Sequence, residues 1–226
     1  EHVICNLGVV GSNPTRGSEK RMCQKTMHPF LFFPSQKKIF SQSAMKNWIT
    51  VQEYESPCGV LLLGTMGGKL CLCNWTESRC RIKVEDRVAR LLQAEYRLGS
   101  DDTLTMAVRQ LDEYFAGRRQ VFDLPLLPIG TEFQLSVWRE LLNIPYGGIC
   151  TYTVQAERLA MPRAVRAVAT ANGQNALSIF IPCHRVIGRN GRLTGYAGGL
   201  EAKHFLLELE AAYAPQVRAL NTGAAF

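Results

Sequence analysis

Ile181-Pro182-Cys183-His184-Arg185-Val186 sets a thiol beside an imidazole where an apolar run (Leu177, Ile179, Phe180, Ile181) gives way to glycine. The nucleophilic form of cysteine is the thiolate, and a neighbouring histidine, a cation such as Arg185 or a polar relay draws its pKa down from the free value of about 8.5. Most cysteines are instead small buried hydrophobes. The proline before Cys183 and the glycine-rich exit fit either role, so the hexapeptide by itself leaves nucleophile and core residue both open.

Working outward, Thr151-Tyr152-Thr153 opens a short helix to about Ala160, Met161-Pro162 makes a turn, and a second helix runs from about Arg163 to Asn172. These are the proportions of a helix-turn-helix. At 100° per residue the second helix groups Val165, Val168 and Ala169 on one face, with Arg163, Arg166, Ala167, Thr170 and Ala171 opposite. Upstream, Thr131 and Gln134 form a capping box for a helix whose inner face is Phe133, Val137 and Leu141, ending at Pro145-Tyr146-Gly147-Gly148. Gln120 to Gly130, with Pro125 and Pro128, reads as an extended linker. Before it lie three short strands, Trp48 to Tyr54, Gly59 to Thr65 and Lys69 to Trp75, the last two joined by Gly67-Gly68, which predicts an antiparallel sheet. Two helices follow, one carrying Val84, Val88, Leu91 and Leu92. The other carries Leu104, Val108, Leu111 and Phe115, capped by Asp101 or Asp102 and closed by Gly117. A last helix shows Ala202, Phe205, Leu206 and Leu209 at packing spacing.

The 226 residues hold one sizeable domain or two small ones, and 46% of them are apolar, as in ordinary globular proteins. No run of about 18 apolar residues is present, so no membrane span or membrane partner is expected, and the N-terminus lacks the succession of a secretory signal. The net charge of +7 is uneven: +4 over residues 1–44, 0 over 45–130 and +3 over 131–226. Within the folded part the positive excess thus lies in the half with the Cys-His pair, which suits a polyanion and equally a solvated basic face. Cys71-Leu72-Cys73 puts two thiols on one strand face, but no second close pair at zinc spacing follows, so no metal is assigned and the eight cysteines point to a reducing compartment.

Pro-Cys-His-Arg-Val is the signature of the O6-alkylguanine-DNA alkyltransferases, and the chain resembles that family from about Met45 to Tyr213, including its Phe-x-x-x-Val-Trp run at Phe133 and Pro-x-Gly turn at Pro145. The resemblance implies an N-terminal α/β domain of ribonuclease-H-like topology (45–128), with a small antiparallel sheet and helices. A mostly α C-terminal domain with a winged-helix-like helix-turn-helix follows (129–213). Residues 214–226 are expected to be a tail, and 1–44 an extension outside the fold or sequence upstream of a true start at Met45. The implied activity is DNA repair by direct reversal in the compartment where the DNA is, cytoplasmic in a bacterium. An alkyl group on guanine O6 in double-stranded DNA, or on thymine O4, passes irreversibly to Cys183 once the nucleotide is flipped out of the stack, and each molecule acts once.

By the same resemblance His184 takes the thiol proton through a water and Glu210 orients the imidazole. Tyr152 turns the target phosphate and protonates the leaving guanine, while Asn175 ties the motif's turn together. Arg166 is the finger that fills the vacated stack, with Thr151, Arg163, Ala167 and Thr170 on the same DNA-facing surface. Pro182, Tyr196, Ala197 and Gly198 belong to the substrate pocket, Ala197 standing where some relatives have serine. The protein is expected to act as a monomer without a cofactor, the acceptor being the protein itself. Two alternatives use the same residues differently: a non-catalytic alkyltransferase-like damage sensor, which replaces the cysteine, and a Cys-His-Glu hydrolase, for which the cationic helix has no use.

Overall fold

The computed structural model describes residues 46–214, and the expectations for 1–44 and, beyond Ala214, for the tail 214–226 lie outside them. β1 (Asn47–Ser56), β2 (Gly59–Met66) and β3 (Lys69–Trp75) form an antiparallel meander. The β2–β3 turn uses Gly67 and Gly68 at φ 58° and 72°, the positive values that a strand-matched two-residue turn requires. After α1 (Arg81–Leu92), β4 (Ala94–Leu98) returns beside β1 and runs parallel to it, giving the order β3-β2-β1-β4. The sheet is therefore mixed where an antiparallel one was expected. β4 escaped notice because it is an edge strand of five residues with none buried, and its alternation of Ala94, Tyr96 and Leu98 with Glu95 and Arg97 is too short to stand out directly after a helix.

A β-bulge corrects a second expectation. Gly64 pairs with Leu72 and Thr65 with Leu70, leaving Cys71 as the extra residue. Cys71 joins the core under Val84 and Val88 of α1, whereas Cys73 joins the core under α2 (Asp102–Phe115), so the two thiols do not share a face. α2 begins at Asp101, whose side chain accepts from Leu104 N, and buries Leu104, Ala107, Leu111 and Tyr114 against the sheet. Helices thus cover both faces.

The C-terminal part opens with α3 (Glu132–Leu141), whose Thr131–Gln134 capping box is complete. β5 (Cys150–Thr151) leads into α4 (Tyr152–Arg158), and α5 (Val165–Gly173) follows the Met161-Pro162 turn. A single 3-10 turn, Cys183–Arg185, precedes β6 (Val186–Ile187), which pairs parallel with β5, and α6 (Gly199–Tyr213) closes the domain. On α5 the outward face is narrower than helical winding suggests. Ala171 is buried, because Trp138 packs there and its indole N–H bonds the Ala171 carbonyl at 2.8 Å.

The two parts meet along the outer edge of β3. Leu70 N bonds Pro125 O (2.9 Å) and Leu127 N bonds Leu70 O (2.8 Å), so the extended linker is paired to the sheet. Further along, Cys73 N bonds Ala176 O (2.8 Å) and Ser178 N bonds Cys73 O (2.9 Å). The segment leading to Cys183 is thereby registered on the N-terminal sheet.

Candidate active site

Cys183 is presented by two of the tightest turns a backbone makes. Phe180 N bonds Ser178 O (2.8 Å) around Ile179 at φ 70°, and Cys183 N bonds Ile181 O (2.8 Å) around Pro182 at φ −81°, ψ 64°. Both are three-residue γ-turns. The second has the relaxed hand that proline's ring favours, while the first holds a β-branched residue in the left-handed region at a cost of about 1–3 kcal/mol. Asn175 bridges the assembly: its Nδ2 donates to Ile181 O (2.8 Å) and lies 3.4 Å from Cys183 Sγ, and its Oδ1 accepts from Leu177 N (3.0 Å). These contacts join Leu177, Ile181 and Cys183 through one side chain.

Cys183 and His184 occupy a 3-10 turn and make no hydrogen bond to each other. His184 Nε2 faces Glu210 Oε1 at 2.7 Å, while its buried Nδ1 has no hydrogen-bond partner. Glu210, fully buried on α6, receives four further donors: Tyr114 OH (2.8 Å), Arg185 Nη2 (3.0 Å) and Arg185 Nε (2.8 Å), and Gly147 N (3.1 Å). Burial opposes a charge on this carboxylate, yet the hydrogen bonds and charges of His184 and Arg185 hold its pKa well below the usual carboxylate range. His184 moves the other way from a simple ion-pair picture. Burial drives its pKa below the ordinary imidazole value, and the charges of Arg185 and Lys203 push in the same direction against the pull of Glu210. Arg185 already neutralises Glu210, so the histidine is a neutral imidazole with Nε2–H donated to the carboxylate and a lone pair at Nδ1.

The thiol rests protonated. Burial pushes its pKa up, and the Asn175 amide and the charge of Lys203 only partly offset this. Lys203 is fully buried on α6, with Nζ bonded to Val186 O (2.6 Å) and Thr194 O (2.8 Å). Sequence reading passed over Lys203 and Tyr114. A signal existed for the lysine, since Lys203, Leu206 and Glu210 fall at i, i+3 and i+7 and so share the inner face of α6.

An open pocket of about 640 Å³ is lined by Tyr152, Ala169 and Gly173 from the helix pair, by Thr194–Gly199, and by Glu77–Cys80 from the N-terminal part. Tyr196, Ala197 and Gly198 stand in this wall. Pro182 does not, because its γ-turn buries it beneath, and Cys183 is likewise outside the lining. Tyr152 and Tyr196 lie within electrostatic reach of the Cys183 sulfur, and burial raises the pKa of both phenols, so both are protonated donors at neutral pH. Trp75 of β3 supports the loop: its Nε1 donates to Tyr196 OH (3.3 Å), and a Cβ on Gly198 would sit 2.6 Å from its ring. Arg163, Arg166, Ala167 and Thr170 are all exposed along α5 and its approach. Thr151 is partly committed elsewhere, its hydroxyl capping α4 through Val154 N (3.2 Å).

Residues 51–128 match the family model described as 6-O-methylguanine DNA methyltransferase, ribonuclease-like domain, and residues 132–212 match 6-O-methylguanine DNA methyltransferase, DNA binding domain. A methylated-DNA–protein-cysteine methyltransferase from Methanosarcina acetivorans is 45% identical over 70% of this chain and 95% of its own length. The constitutive methylated-DNA–protein-cysteine methyltransferase of Bacillus subtilis is 55% identical over 47% of this chain and 66% of its own length. Among solved structures, the Mycobacterium tuberculosis protein crystallised in complex with DNA superposes with a TM-score of 0.63 at 39% identity, covering 75% of this chain and 96% of that one.

Proposed function

The chain belongs to the 6-O-methylguanine DNA methyltransferase family, and on that footing we propose that it repairs DNA by direct reversal, with Cys183 as the alkyl acceptor. The substrate is duplex DNA carrying O6-alkylguanine, and by family likeness O4-alkylthymine. A base inside the stack cannot reach a sulfur in a protein pocket, so the nucleotide is first extruded. Arg166 on α5 fills the vacated stack, with Arg163, Ala167 and Thr170 beside it and Tyr152 at the pocket mouth. The alanine-rich exposed face lets the helix approach a groove closely.

In the transfer step Cys183 sulfur forms a bond to the alkyl carbon while the bond from that carbon to guanine O6 breaks. The electron pair stays on guanine, and protonation of a ring nitrogen by Tyr152 makes it a competent leaving group. The thiol proton goes to Nδ1 of the neutral His184, through a water because no hydrogen bond joins the two side chains. Glu210 fixes the tautomer and stabilises the imidazolium that forms, the logic of a Cys-His-acid triad. A thioether has no carbonyl for water to attack, so the cysteine is not regenerated and no cofactor enters.

The observation that carries this reading is the single constellation of Asn175 against Cys183 and of His184 on Glu210, set beneath a pocket that α4, α5 and the 194–199 loop enclose. Its test is stoichiometry. With excess methylated duplex, repair should plateau at about one alkyl group per monomeric protein, from the single-nucleophile logic, with the added mass on Cys183. Cys183→Ala should bind DNA and transfer nothing. Sustained turnover, or label on Cys71, Cys73 or Cys150, would overturn it.

A further inference from the structure

We propose that Tyr114, which belongs to the N-terminal domain, is a positioning residue for the transfer: its hydroxyl, held on Glu210, sets how strongly that carboxylate polarises His184. The inference rests on the reading of His184 as the proton acceptor. Tyr114 lies in the last turn of α2 with its side chain fully buried, packed edge-on to Tyr146 (6.0 Å) and tilted against Phe122 (5.5 Å). Phenylalanine would fill the same space, so packing alone does not call for a hydroxyl. That hydroxyl donates to Glu210 Oε1 at 2.8 Å, the oxygen that faces His184 Nε2 at 2.7 Å. The phenol is a fixed donor, because burial and the adjacent carboxylate push its pKa well above the ordinary value. An acceptor oxygen shared among charge-assisted and neutral donors gives less to each.

The charged and titratable groups around this oxygen are few. Arg185 and His184 come from the 3-10 turn, and the Tyr146 ring, whose hydroxyl is unpartnered, from the α3–β5 connection. His184 also faces Arg185, Lys203 of α6 and the Tyr196 ring at 6.4 Å, besides the neighbouring Cys183. Tyr114 alone among them, within the described residues, comes from the N-terminal domain. That domain, which contributes no nucleophile or base, thus reaches the acid member of the triad through one hydrogen bond.

Removing the hydroxyl leaves Oε1 to His184 and Arg185, which favours the imidazolium and raises the histidine's pKa. The sign for the reaction follows. His184 accepts a proton only when neutral, so the acid limb of the single-turnover rate moves to higher pH. The experiment compares full-length wild type, Tyr114→Phe and Tyr54→Phe, the last losing a hydroxyl bonded to Asp112 (2.9 Å) in the same core and away from Glu210. Transfer from methylated duplex is followed against pH, and the His184 ring is titrated by NMR. In Tyr114→Phe both should move up by about half a pH unit, the size of one modest hydrogen-bond contribution, with duplex affinity unchanged, while Tyr54→Phe keeps the wild-type limb. An unmoved or lowered limb in Tyr114→Phe, or an equal shift in Tyr54→Phe, overturns the proposal. A wild-type limb that persists in His184→Gln removes the base reading beneath it as well, which tells the two failures apart.

Discussion

A buried carboxylate that accepts from Tyr114, His184, Arg185 and Gly147 at once makes Glu210 the side chain on which acid stability should turn. Its folded pKa is depressed, so its contribution is present above the unfolded value of about 4.3 and is lost as pH falls below it. His184 is buried neutral with a lowered pKa, so the unfolded chain takes up a proton first, below about 6.5, and stability falls with pH there too. Both terms have the same sign but different windows: urea melts should show stability falling below about pH 6.5 as the His184 term is lost, and falling further below about pH 4.3 as the Glu210 term goes; a profile flat from pH 7 to about pH 3 would contradict the assignment. Glu210→Gln removes the charge that Arg185 is buried against, and breaking such a pair costs about 3–5 kcal/mol. A loss under about 1 kcal/mol in the same melts would mean that Arg185 finds another partner. At Asn175 the expectation is kinetic: Asn175→Ala releases the γ-turns and raises the thiol pKa further, slowing transfer by about tenfold or more, on the scale of a hydrogen bond to a charged group.

At the level of elements, α5 is where DNA recognition is expected to be separable from chemistry. Arg166→Ala should weaken repair of duplex far more than repair of the free alkylated base, since only a stack needs filling; equal losses would take the finger role from Arg166. If Arg163 contacts phosphate, Arg163→Ala should reduce the slope of log affinity against log salt by about one. How far such elements were legible depended on whether their cause is local. The α3 capping box, the Asp101 cap and the Gly67-Gly68 turn are short-range hydrogen-bond or φ requirements, and each was readable. β4 was not, because an edge strand paired on one side needs little apolar sequence. The γ-turns at Ile179 and Pro182 leave no compositional trace, and the bulge at Cys71 depends on its partner strand. Cys183, His184, Asn175 and Glu210 were named through the signature and its family, and the fold sets Asn175 against Cys183 and His184 against Glu210. Tyr114 and Lys203 were not, since a tyrosine in a core stripe and a lysine on a helix look ordinary until the chain brings them to Glu210 and Val186.

For the whole molecule, the shared edge of β3 makes the two domains one cooperative unit. Trp75 sits in one and Trp138 in the other, both buried, so fluorescence and far-UV circular dichroism should report a single coincident urea transition. Two resolved transitions would show that the linker and the 176–178 segment let go before the sheet does. The same pairing has a consequence for solubility. Leu70 to Trp75 is a continuous buried run on what would be the terminal strand of the sheet, and an unpaired apolar edge is a template for adding strands from other copies. The linker at Pro125–Leu127 and the segment leading to Cys183 occupy that edge. The opposite edge, β4, bears Glu95 and Arg97 instead. Proteolytic nicking between Gly117 and Gly130 should therefore do more than inactivate the protein: the freed sheet is expected to self-associate, visible as light scattering that rises with cleavage, while the intact chain at the same concentration stays clear.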